Sequence, residues 1–234
     1  MKKPTPTALK PFLREFCIPT LAKQSAYFSI REIRQFLEQH NMPAASRTLV
    51  GYLHELVVSG FIHAAGRGWY SQLAPRFTID TSSVKSLADE LIKAFPLVSL
   101  SCWSTAQVQG AMHHLLGKFV TFVMLEADAM ETVGEYLRDA GWDAWLNPRG
   151  KDVERFALRE RTVVLRRESS KSPAKEPLAS IEKILVELYF EARDLHLMAA
   201  ADYQAMLENL AGTQRIQMAV LISYAAERKL PLSD

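Results

Sequence analysis

Apolar residues recur at Leu49, Val50, Leu53, Leu56 and Val57, the i, i+1, i+4, i+7, i+8 spacing of one helical face. The spacing predicts a helix over residues 46–59, stopped by a C′ glycine at Gly60. Its other face carries Ser46, Arg47, Thr48, Gly51, Tyr52 and His54, which are donors or small residues. Upstream, Ser29 and Glu32 have capping-box spacing before the apolar positions Ile30, Ile33, Phe36 and Leu37. That helix must stop near Asn41, because Pro43 disfavours helix at the residue before it. Two helices joined by so short a turn match a helix-turn-helix. Downstream, residues 61–65 and 69–72 read as two strands around Gly66-Arg67-Gly68, a β-wing with a basic tip.

Ahead of these elements, residues 8–17 and 18–27 are expected to be helical, broken at Pro11 and Pro19, with Phe12, Leu13, Phe16 and Leu21 packed inward. Beyond them, residues 76–80 are expected as a short strand. A helix over 84–95 follows, capped by residues 81–83 and burying Leu87, Leu91, Ile92 and Phe95. Residues 97–103, 119–126, 144–146 and 161–167 read as strands alternating with helices at 105–115 and 129–140 and a helical turn at 151–156. The run over 119–126 is almost wholly apolar, which predicts a strand in the middle of its sheet. Asp128 is the expected cap of the helix at 129–140. A polar, proline-bearing hinge covers 168–177. Helices follow at 178–192, 202–210 and 213–227, the last two separated by Gly212. The pattern predicts an α+β protein: an N-terminal winged helix-turn-helix over 1–76, a mixed α/β domain over 77–168, and a C-terminal helical segment over 178–234 packed on it.

Composition adds little until it is divided. At 234 residues and 48% hydrophobic, the chain can bury a sizeable core, and no apolar run reaches the length of a membrane span. Residues 1–75 hold nine Lys/Arg against four Asp/Glu, and the remainder holds 19 against 22. A basic front of net +5 thus precedes a rear of net −3, which suits DNA contact at the front and another role at the rear. Ser46, Arg47, Thr48, Tyr52 and Arg67 are the candidate DNA contacts, Arg47 for a guanine edge and Ser46 and Thr48 for phosphate. Lys23, Arg31 and Arg34 are further candidates for the backbone.

Other chemistry is sparse. The two cysteines, Cys17 and Cys102, have no metal or disulfide spacing and read as buried thiols. His113 and His114 are adjacent, so on a helix they diverge by about 100° and do not share an ion. Glu126 and Asp128 end the central strand, but the neighbouring segment TVVLRR lacks the second acid of a nuclease. Phosphate-binding, dinucleotide and nucleophile-elbow motifs are absent from the sequence, so neither catalytic residues, a metal nor a cofactor is expected, and an enzyme acting on nucleic acid is disfavoured. Trp103, Trp142 and Trp145 read as core. Basic residues are dense from Arg149 to Arg167, which gives either a solvated face or a second patch for DNA or an acidic partner.

Ser101-Cys102-Trp103-Ser104-Thr105, the strand at 119–126, the helix after Asp128, Leu146-Asn147-Pro148 and the segment L-x-x-I-E-K-I-L-V-E-L over 178–188 together resemble the AbiEi-type antitoxins. The last segment is similar to that family's L-E-K-x-L-V-D-L helix. The resemblance covers most of the chain and rests on the order of its motifs. It implies a cytoplasmic bacterial transcriptional repressor that binds inverted repeats in its own operator as a dimer or as cooperative monomers, and counteracts a nucleotidyltransferase toxin, in many members without forming a stable complex. The Trp-Ser-Thr segment and the long strand place the chain nearer a divergent branch. A regulator without antitoxin activity, or a protein-interaction module without DNA binding, therefore stay open as alternatives.

Overall fold

The computed structural model describes residues 6–112, 117–169, 172–173 and 177–230. The His113-His114 pair and the expected helix end at 115 lie outside them. The described residues form a mixed α+β protein with ten α-helices and two small sheets. The chain divides into two units, Met1–Phe77 with Ala211–Ile222, and Thr78–Leu210 with Ser223–Asp234.

In the first unit, α1 (Pro6–Phe12) continues through a π-helical turn, Leu13–Cys17, into α2 (Ile18–Gln24). Neither Pro11 nor Pro19 breaks the helix. Ile18 N–H donates to Leu13 O, and this wider turn between the prolines keeps the axis continuous. Helix stops at Gln24, short of the expected residue 27, because Tyr27–Ser29 forms strand β1. Ser29 then caps α3 (Ile30–Gln39): its Oγ accepts from Glu32 N at 3.2 Å, and its N–H donates to Glu32 Oε2 at 2.6 Å. After the turn at Asn41 comes α4 (Ser46–Val58), followed by strands β2 (His63–Ala64) and β3 (Trp69–Ser71). The three strands pair antiparallel in the order β1-β3-β2.

Leu13, Ile18, Phe28, Ile33, Leu49, Leu53 and Ile62 fill the core of this unit. Two expected core positions turn outward. Val50 is half exposed, and Phe16, 47% exposed, joins a surface cluster of rings with Phe12, Phe36 and His40. The strand expected over 76–80 is reduced to one parallel bridge between Arg76 and Arg215. Beside it, Tyr27 O–H donates to Gln214 O at 2.8 Å and accepts from Ile216 N at 2.9 Å. The late segment 211–222 is thus bonded into the N-terminal unit, where the sequence pattern had placed it with the rear helices.

The second unit contains α5 (Ser82–Ala94), β4 (Leu100–Ser104), β5 (Thr121–Leu125), α6 (Met130–Asp139), β6 (Asp143–Leu146), α7 (Lys151–Arg155), β7 (Thr162–Arg167) and α8 (Ile181–Asp194). Helices α9 (Ala200–Thr213) and α10 (Met218–Glu227) follow. Gly212 lies inside α9, and the break falls at 214–217. The strand order is β4-β5-β7-β6, with β5, β7 and β6 parallel and β4 antiparallel. β5 is an interior strand, as its apolar run requires. Residues 105–111 form a 3-10 rather than an α-helix, capped by Ser104 and Gln107. Asp128 sits within a 3-10 turn and caps nothing; Ala129 precedes α6. Ile92 of α5 is 38% exposed rather than buried.

Strand alternation gives the two faces of this sheet different characters. Leu100, Cys102, Val123, Leu125, Val163 and Leu165 pack against Val84, Leu87 and Leu91 of α5 and Val133 and Leu137 of α6. The other face carries two rows. Trp103, Phe122 and Val164 are aligned by register, with Trp103 stacked on Phe122 at 4.2 Å. The next row, Ser101, Met124 and Arg166, is polar at both ends. No helix among the described residues is long and apolar enough to cross a membrane.

Candidate nucleic-acid interface and charged cleft

At 100° per residue, Arg47, Val50, Gly51, His54 and Val58 of α4 fall within about one third of the helix circumference. All five are exposed, while Leu49, Leu53 and Leu56 opposite are buried. The outward face is therefore a basic, polar and small-apolar stripe without an acid. Ser46 and Thr48 are exposed in the first turn, which is preceded by Ala45 and has no side-chain cap. Tyr52 lies off this stripe: it is half-buried on the flank, with Lys10 Nζ 6.0 Å from its ring. Lys10 also pairs with Glu55, the acid nearest the stripe. His54, Val50 and Val58 belong to the presented surface and were not among the expected contacts. The 100° rule alone would have placed them there.

Arg31 is exposed on α3, whereas Arg34 is half-buried and its Nε has no hydrogen-bond partner among the described residues. Arg67 is exposed at the hairpin tip between Gly66 (φ 95°) and Gly68 (φ 74°). Ile30 N–H donates to Gly68 O at 2.8 Å, which ties the hairpin to the start of α3. Gly66 is required twice over. Its φ is left-handed, and a Cβ there would lie 2.6 Å from Ala219 Cβ. Gly66→Ala is therefore expected to cost about 1–3 kcal/mol and to loosen the hairpin. Urea unfolding checks it, and wild-type stability in the variant would contradict this packing.

The second unit holds a cluster that the sequence reading missed. Lys183, Glu187 and Glu191 lie at i, i+4, i+8 on α8 and are all buried. Eight residues of helix rise about 12 Å, and β4 to β7 is two strand spacings, about 10 Å. α8 thus crosses the strands and sets one charge over each end of the polar row. Lys183 Nζ, fully buried, donates to Glu168 Oε2 at 2.5 Å and also to Ser101 Oγ. Ser101 Oγ–H donates to the same carboxylate at 2.7 Å. Glu191 takes Arg166 in a bidentate pair, both contacts at 2.7 Å. Arg166 Nη1 continues to Asn147 Oδ1 at 3.1 Å and Pro148 O at 3.0 Å. Glu187 accepts from Tyr224 O–H and, at 2.9 Å, from Arg228 Nη2.

Burial dominates the electrostatics of this cluster. It lowers the Lys183 ammonium below its ordinary value, against the opposing pull of Glu168. It raises the Glu191 carboxyl despite Arg166, and with Glu187 it raises the Tyr224 phenol. Arg166, expected on a solvated face or partner patch, is only 7% exposed and committed to Glu191. Its neighbours Arg149 and Arg167 are exposed. A cleft of about 380 Å³ opens beside the cluster at the carboxyl ends of β5, β7 and β6. Cys17 and Cys102 are free and buried, and no group of three metal-ligating side chains occurs among the described residues.

Comparison with protein families finds that the model of DUF6577, a family of unknown function, matches residues 48–231. No curated protein matches the chain.

Proposed function

The chain belongs to the DUF6577 family, and on the geometry of its first unit we propose that it is a DNA-binding transcriptional regulator of winged helix-turn-helix type. The observation that carries the reading is the outward stripe of α4, with Arg47 at its N-terminal end and apolar Val50 beside it. An arginine there suits the O6 and N7 edge of guanine, and a valine suits a thymine methyl. The element order supports it: a capped α3, a short turn, α4 and a hairpin ending in an exposed Arg67, with β1 completing the sheet. Arg67 and Arg31 would contact backbone, and Ser46 and Thr48 would bond phosphate at the helix start.

Arg47→Ala is expected to cost about 1–3 kcal/mol of specific binding and to relax preference at one base pair. Gel shifts on the fragment upstream of its own reading frame measure this. Arg67→Ala should weaken all duplexes alike and flatten the salt dependence. If neither variant changes affinity, the assignment fails. Repression of its own operon and neutralisation of a nucleotidyltransferase toxin extend the proposal; they are supported by the order of AbiEi-like motifs in the sequence. Co-expression with such a toxin tests that part separately from DNA binding. A second reading, a protein-docking module, is favoured by the exposed ring of Phe16, set against the half-buried rings of Phe12 and Phe36. It predicts no salt-dependent binding to duplex DNA.

A further inference from the structure

Charge pairing around the cleft of the second unit leaves a remainder. The four carboxylates among its described lining residues each have a partner: Glu168 has Lys183, Glu187 has Arg228, Glu191 has Arg166 and Asp194 has Arg193. Arg149 and Arg167 line the same cleft, are exposed, and have no ion-pair or hydrogen-bond partner among the described residues. Arg228, which also lines the cleft, has a buried Nε with no acceptor among the described residues. Two guanidiniums without a carboxylate of their own thus line one concavity.

From this we propose that the cleft binds a phosphomonoester of small-molecule size, with Arg149 and Arg167 holding its dianionic group. Guanidinium forks match phosphate oxygens in geometry, and two unmatched positive charges balance a dianion. The site lies where ligands of open parallel sheets bind, outside the carboxyl ends of the strands. Its roughly 380 Å³ falls in the range of small-molecule pockets. A nucleic-acid duplex fits less well, since its phosphates would track past Glu168 and Asp194 in a concave wall. Arg166 is not free to bind: its guanidinium already donates to Glu191, Asn147 and Pro148. The inference is independent of DNA binding by the first unit.

Calorimetric titration of the full chain with inorganic phosphate, adenosine 5′-monophosphate and adenosine tests it. Both phosphate-bearing probes should bind at one site, and adenosine should not. Arg149→Gln and Arg167→Gln should each weaken that binding about tenfold, the effect of one charge-assisted contact. Arg138→Gln, which removes an exposed charge from α6, should leave it unchanged. Both arginines are exposed, so circular dichroism should show both glutamine variants folded. The proposal is overturned if neither phosphate probe binds up to about 10 mM, if binding survives both glutamine variants, or if those variants lose only affinity for duplex DNA.

Discussion

Glu191→Ala is expected to destabilise the second unit by about 3–5 kcal/mol. The substitution removes the bidentate acceptor of Arg166 and leaves a guanidinium that is 8% exposed with only Asn147 and Pro148 as partners. An uncompensated charge at such burial costs far more than the pair contributes when whole. The double variant Arg166→Met/Glu191→Leu should therefore recover most of the loss, because two apolar side chains of similar volume need no solvation. Lys10→Ala provides the contrast. It breaks a pair whose members are about half exposed, and should cost under about 1 kcal/mol. Urea unfolding of the three variants decides the matter. A Glu191→Ala loss no larger than that of Lys10→Ala would show that the α8 cluster is hydrated.

Alkaline solution should weaken the fold well before ordinary side chains would demand it. Burial pushes the Cys17 and Cys102 thiols from 9.0 up to about 12. It also raises the phenols of Tyr203 and Tyr224. These groups stay protonated in the native state while the unfolded chain begins to lose its protons above pH 9. The native state then binds more protons, so stability falls as pH rises. Each thiol contributes about 1.4 kcal/mol per pH unit across that window. Lys183 acts oppositely: its lowered value makes its own contribution rise with pH up to 10.5, which opposes the decline over that range. Denaturation midpoints measured from pH 9 upward should fall, and Cys102→Ala should make the decline shallower by one proton. A flat profile would contradict the burial of these groups. In native protein, neither thiol should react with alkylating reagents at neutral pH.

The elements of the front unit were legible because each carries a local signal. Ser29 and Glu32 form the capping box, Gly60 ends α4 at φ 70°, and Gly66 and Gly68 turn the hairpin. The interior place of β5 followed from its almost wholly apolar run. Errors arose where a local rule met a global alternative. A π turn absorbed Pro11 and Pro19, and pairing with β3 drew Tyr27 out of the helix. Gly212 was carried inside α9, where a helix tolerates glycine at modest cost.

Arg149 and Arg167 were visible as dense basic residues, but not which of the run was free. That depended on α8 crossing the strands and placing Glu191 over Arg166 and Lys183 over Glu168. The i, i+4, i+8 stripe of Lys183, Glu187 and Glu191 was present in the sequence, yet on most helices such a stripe faces water. What the amino-acid order determined by itself was local: caps, turns, periodicity and the basic front. Which charges are buried and matched, which two arginines remain over, and where residues 211–222 return were decided only in the tertiary structure, because charge pairing and strand bridging join groups far apart in the chain.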